Sequence, residues 1–181
     1  MLRYRSFSAC LSFLSGILLA LCFFLFSPAA QAQEPQYPTY DTASEELADI
    51  QRVIDATLPD IEAMLKKKGG FSPFATVILA NDSIADIAVK DSTKSYTEDD
   101  LKEELSIGAL KGEYKAVVIF SAGSTSNPAD GKTTKAILVF AEHTNDDFAY
   151  LFYYPYKITT RKEVVFGESF GDYAPQVMFK P

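Results

Sequence analysis

The chain has 181 residues, of which 17 are basic and 24 acidic, giving a net charge of −7 at neutral pH, and 48% are hydrophobic. It has a single histidine, and both cysteines (Cys10 and Cys22) lie in its apolar N-terminal segment, so the rest of the chain lacks the nitrogen and sulfur ligands of an ordinary zinc centre. An acidic chain with no basic run has little to offer a phosphate backbone or an anionic bilayer, which excludes nucleic-acid binding and electrostatic membrane binding as leading functions.

The first segment reads as an export signal. Met1-Leu2-Arg3-Tyr4-Arg5 carries two positive charges and no acid, Phe7 to Phe26 is apolar, and Ser27-Pro28-Ala29-Ala30-Gln31-Ala32 follows. A positive start, an apolar middle and a small-x-small site are the three parts of a secretory signal peptide. Ala30 and Ala32 fit the pockets of a signal peptidase, so cleavage is expected after Ala32. The alternative is an uncleaved anchor, since about 20 apolar residues can span a bilayer; it is the one route by which this chain meets a membrane. The helix-breaking Ser27-Pro28 favours cleavage. A lipoprotein signal does not fit, because Leu21 precedes Cys22 where a small residue is required. The chain therefore divides into a signal peptide (1–32), a polar leader (33–43) and a single α+β domain (44–181). Its expected location is outside the cytoplasm, periplasmic or secreted. A bacterial host is the default, and a eukaryotic secretory route stays open.

Removing residues 1–32 takes away Cys10, Cys22, Arg3 and Arg5, leaving 15 basic against 24 acidic residues, or −9. The mature domain has no cysteine and must be held by burial alone. Residues 33–181 suffice for one core and are too few for two domains.

Gln33 to Asp41 is polar, with two prolines. From Ser44, a predicted N-cap, Leu47, Ile50, Ile54, Leu58, Ile61 and Leu65 recur at three- and four-residue steps, the signature of one helical face. Lys66-Lys67-Lys68 complements the negative end of the dipole and Gly69-Gly70 stops the helix. Pro59 removes one hydrogen bond, but the stripe keeps phase across it, which predicts one kinked helix or two nearly in line. Phe74 to Leu79 reads as a strand, Asn81-Asp82 as a tight turn, and Ile84 to Val89 as the antiparallel partner. After a polar loop from Asp91 to Tyr96, Thr97 and Asp100 resemble a capping box. The second helix runs to about Leu110, with Leu101, Leu105 and either Ile107 or Leu110 inward. Lys115 to Ser121 is a strand buried on both faces, and Gly123 to Lys132 a loop. Thr134 to Glu142 and Phe148 to Tyr156 form a second hairpin. A short strand from Glu163 to Phe166 follows, and the tail from Gly167 shows no period. The fold class is thus α+β: a mainly antiparallel sheet of five to six strands with two helices on one face, in the order α-β-β-α-β-β-β(-β). Roadblock, profilin-like and PAS-like domains share a similar order, an analogy of topology that carries no function.

Leu58-Pro59, Ala63-Met64-Leu65 and Lys68-Gly69-Gly70-Phe71-Ser72-Pro73-Phe74 resemble the start of small uncharacterised bacterial α+β proteins. In those, a helix bearing Leu-Pro runs into Gly-x-Phe-x-Pro-Phe and then a strand. The likeness covers residues about 47–90 and implies the fold, not an activity.

Chemistry-bearing groups are sparse. Glu142-His143 pairs the single histidine with a carboxylate, but at the end of a strand the pair is expected to be exposed or to cap the turn. The hydroxyl-rich run Ser121-Ala122-Gly123-Ser124-Thr125-Ser126 needs no more than turn chemistry. Gly123 and Gly131-Lys132-Thr133 miss the spacing of a phosphate loop, and Asp99-Asp100, Glu103-Glu104 and Asp146-Asp147 miss that of a calcium loop. No pattern calls for a metal or a cofactor. The most informative feature is the aromatic strand in which Phe148, Tyr150, Phe152, Tyr154 and Tyr156 share one face by alternation. Either the tail 167–181 folds over it, or it is a binding face for an unidentified protein or a small apolar ligand. The leading expectation is a non-enzymatic binding module using that face. The alternative is a hydrolase-type enzyme built on carboxylates and the Ser/Thr loop near His143.

Overall fold

The computed structural model describes residues 44–87, 96–128 and 130–180. The predicted signal peptide with its cleavage site at Ala30 and Ala32, the leader, and the end of the second strand lie outside the described residues. So does most of the polar loop that follows that strand.

Helix α1 (Glu45–Lys68) begins where expected: Ser44 Oγ accepts a hydrogen bond from the Leu47 N–H at 3.1 Å, and Glu45 and Glu46 occupy the first turn. It ends at Gly69, whose φ of +75° is the left-handed conformation that glycine adopts without a steric penalty. The helix is a single element through Pro59. An internal proline costs roughly 3 kcal/mol. Ile54, Leu58, Ile61 and Leu65 flank it fully buried, each contributing about 1.5–3 kcal/mol, so burial holds the helix together. Helix α2 (Glu98–Leu110) opens on a complete capping box, Thr97 Oγ1 accepting from the Asp100 N–H at 3.2 Å and Asp100 Oδ2 accepting from the Thr97 N–H at 2.9 Å.

The strands are β1 (Phe74–Leu79), β2 (Ile84–Asp86), β3 (Tyr114–Ser126), β4 (Thr133–His143), β5 (Phe148–Ile158), β6 (Val164–Phe166) and β7 (Phe170–Pro175). They form a sheet in the order β2-β1-β3-β4-β5-β6 in which every pairing is antiparallel, with β7 also paired to β5. The α+β class and the mainly antiparallel sheet are therefore as the sequence indicated. Two boundaries differ. The run Gly123–Ser126, expected in a loop, continues β3 opposite Thr133–Ala136, because the hydroxyl side chains alternate between exposed and half-buried positions and so suit a strand. The tail contains β7, whose exposed Gly171, Asp172 and Tyr173 gave no apolar period.

The expectation of both helices on one face is corrected. The α1 stripe packs on Ala116, Val118 and Phe120 of β3 with Ile137, Val139 and Ala141 of β4. Leu101, Leu105 and Ala109 of α2 pack on Ala75 and Val77 of β1 and Val117 and Ile119 of β3, the opposite side. Alternate residues of β3 thus serve two cores, as a strand apolar on both faces requires. In α2 it is Gly108 and Ala109 that turn inward, whereas Ile107 and Leu110 are exposed. Gly108 lies against Tyr114, where a Cβ would come within 2.5 Å of the ring. Among the described residues, the two cores draw on residues 47–179, all within the predicted mature chain 33–181.

Candidate functional site

The predicted aromatic face is core. Tyr150, Phe152, Tyr154 and Tyr156 are 5%, 4%, 0% and 3% exposed and belong to the core beneath α1. The expectation that this stripe meets a partner is corrected: it shares a core with α1, while Tyr173 of the tail packs on Phe148 and Tyr150 at its start. Leu47, Ile50 and Ile54 carry the signal for this, since the apolar stripe of a 24-residue helix needs a face of comparable length. Only Phe148, at the strand end, stays partly open, packed edge-to-face on Tyr150 (5.1 Å) and Tyr173 (4.7 Å between centroids).

His143 is 1% exposed, not solvent-facing. Its Nδ1 accepts a hydrogen bond from the Asn145 N–H at 3.2 Å, which closes the β4–β5 turn. Nε2 lies 3.5 Å from Asp49 Oδ2. Lys115 Nζ sits 2.8 Å from the same oxygen and 2.9 Å from Asp82 Oδ1. Burial pushes the Asp49 carboxyl up, but hydrogen bonding and charge from Lys115, with Arg52 and His143 adding, bring it below its ordinary value. The two carboxylates in turn raise the Lys115 ammonium. These groups tie the start of α1 to β3 and β4. The Ser/Thr run cannot join them: His143 stands opposite Ala116 and Ser124 opposite Lys135, about 26 Å apart along β3 at roughly 3.3 Å per residue. The site expected for a hydrolase, with that run near His143, is not assembled.

Glu142 points to the other face and is fully buried. Its Oε1 accepts from the Val177 N–H at 2.7 Å, and its Oε2 from Met178 N–H at 3.0 Å and Phe179 N–H at 3.2 Å. Gln176 Nε2 donates to the His143 and Asp146 carbonyls at 2.9 and 3.1 Å. The tail is thereby clasped over the second core, with Met178 fully buried there. Glu142 is a structural acceptor.

What the sequence did not single out is a cleft of about 910 Å³ between α1 and the β1–β2 edge of the sheet. Its origin is geometric. A helix is about 10 Å wide and strands are about 4.8 Å apart, so α1 cannot cover the whole sheet, and β2 lies beyond its flank. On one side stand Ala56, Asp60, Met64 and Lys68, four residues apart and hence one stripe of α1. On the other are Ile84, Asp86 and Ile87. Phe71, Pro73 and Phe74 close the end. Phe71 meets Phe74 edge-on at 5.7 Å, and Phe74 stacks on Phe120 at 5.3 Å, so this wall is fixed to the core. Asp86 is held by a hydrogen bond from the buried Thr76 Oγ1 at 2.9 Å. The signal for the cleft was present in Gly70-Phe71-Ser72-Pro73-Phe74, which reads as a structural corner; that the corner also bounds a cavity depends on how far the sheet extends past α1. Among the described residues no cluster of histidine, cysteine and acids could hold a metal ion.

No protein-family model, no curated protein and no solved structure matches the chain.

Proposed function

We propose that this protein is a non-enzymatic binding module, exported from the cytoplasm, whose ligand lies in the cleft between α1 and the β1–β2 edge and is mainly apolar. The observation that carries this reading is the cleft itself. Its volume falls within the roughly 300–1,000 Å³ of small-ligand sites, and an aromatic wall faces a few polar groups. The export reading rests on residues 1–32 alone. The polar groups on which catalysis would depend are occupied elsewhere: Glu142 accepts three backbone N–H groups, and His143 is enclosed within the Asn145 turn.

The test is a fluorescence titration of residues 33–181 with the uncharged apolar probe N-phenyl-1-naphthylamine. Saturable binding that Ile84→Asp and Met64→Glu each weaken at least tenfold, with unchanged circular dichroism, is the expected result. Binding that both folded variants retain, or no saturable binding, overturns the proposal.

A further inference from the structure

The edge strand beside the cleft has a polarity of its own. On either side of β2, the Ser83 carbonyl accepts from the Leu79 N–H at 2.9 Å and Ile87 donates its N–H to the Ala75 carbonyl at 3.0 Å. With the register Thr76↔Asp86, Val77↔Ala85 and Ile78↔Ile84, residues 83, 85 and 87 direct their backbone groups to β1. Those of Ile84 and Asp86 point away from the sheet. Both side chains lie on the α1 side, since Ile78, opposite Ile84, belongs to the core under α1. No strand among the described residues pairs with this outer edge, so Ile84 and Asp86 offer two N–H and two C=O groups at strand spacing, beside a cleft that the same two residues line.

We propose that the occupant of the cleft is an extended polypeptide segment that adds to β2 as a further strand, with every second side chain lowered into the cleft. This rests on the reading of the cleft as the ligand site and names the class of ligand. A peptide backbone is the group that presents alternating donors and acceptors at the required two-residue repeat, and the cleft supplies the pocket for alternate side chains that such recognition uses. At the other end of the sheet the edge strands are β6 and β7, both paired to β5. Because β2 is three residues long, the backbone can supply four hydrogen bonds at most, so the side chains in the cleft set the affinity. Their chemistry follows from the lining. Met64, Phe71, Phe74 and Ile84 call for apolar residues at alternate positions. Asp60 and Asp86, neither in an ion pair among the described residues, together with the net charge of −7, select a Lys or Arg beside them. Among the described residues Lys68 is the single cation in the lining.

The experiment pans a phage-displayed random dodecapeptide library against residues 33–181. It then titrates the enriched peptide, and two copies N-methylated at alternate residues, by calorimetry. The expected outcome is enrichment of sequences alternating apolar residues with Lys or Arg. N-methylation on one parity should weaken binding at least tenfold, while the other parity leaves it within threefold. Asp86→Pro, which removes an outward N–H, weakens binding at least tenfold; Asp86→Asn, which removes charge and keeps that N–H, weakens it less. The N-methyl series decides the question without relying on the folding of any variant. Peptides that tolerate methylation on both parities, or no enrichment over the Ile84→Asp protein, overturn strand addition. If the naphthylamine still binds saturably in the second case, the cleft remains the ligand site and its ligand is a small molecule; if that binding is absent too, both readings fall together.

Discussion

Replacing Glu142 by Gln is the most searching perturbation of the second core, because the side chain changes by one group and almost no volume. In the native protein Oε1 serves Val177 and Oε2 serves Met178 and Phe179. A glutamine amide offers one oxygen and one NH₂. If its oxygen faces Met178 and Phe179, the Val177 N–H meets another donor; if the amide is flipped, two N–H groups are orphaned. Leaving a buried donor unsatisfied costs about 1–3 kcal/mol, and hydrogen bonds to a charged acceptor are stronger than those to a neutral one. The expected loss is therefore about 2–4 kcal/mol, a large share of the roughly 5–15 kcal/mol of a typical domain. Urea unfolding of residues 33–181 measures it, and amide exchange shows where it falls: protection of residues 177–179 should drop first, while β3 and β4 keep theirs. A Glu142→Gln protein within about 0.5 kcal/mol of wild type, well below the cost of one orphaned donor, with those three amides still protected, would refute the account of the clasp.

Other expectations follow from the same geometry. Tyr154→Ala should cost about 3–5 kcal/mol in urea unfolding, since Tyr154 is buried beneath α1; a folded, stable variant would show that the stripe is not core. The Asp49 carboxyl is held below its ordinary 3.8, so it adds stability above pH 3.8 that is lost as pH falls through the lowered value. Lys115→Met should flatten that acid limb in a pH series of unfolding midpoints, and an unchanged limb would contradict the pairing. At the alkaline end, burial raises the Tyr150, Tyr156 and Tyr114 hydroxyls above 10.0, with Asp146 adding to the first and Glu113 and Glu104 to the last. Their neutral forms stabilise the fold fully below about pH 10, and that stability is lost as pH rises through the raised values. Tyr150→Phe should reduce the alkaline slope in the same series, and an identical slope would count against it.

How much of this was legible in the sequence depends on whether the deciding contact is local. Ser44, Gly69 and the Thr97–Asp100 box set helix ends through residues within four positions, and each is found where the spacing placed it. The sheet class followed from short turns between strands. Partnerships across the chain were not legible. The stripe from Phe148 to Tyr156 alternates in the same way whether it meets solvent, the tail or a helix, and only the length of α1 tells them apart. Glu142-His143 reads as one exposed pair. Strand alternation instead sends His143 to Asp49, near the start of α1, and Glu142 to Val177, 35 residues on. The cleft is the least local feature, since it exists because one helix is narrower than the sheet that it covers.

The central claim, that the ligand lies beside β2, is tested most directly by the amide spectrum of ¹⁵N-labelled residues 33–181 during titration with N-phenyl-1-naphthylamine. The account predicts saturable shifts at Ala56, Asp60, Met64, the Phe71–Ala75 corner and Ile84 to Ile87, with β5 and β7 unmoved. Shifts centred on Phe148 and Tyr173, or none that saturate, would contradict it.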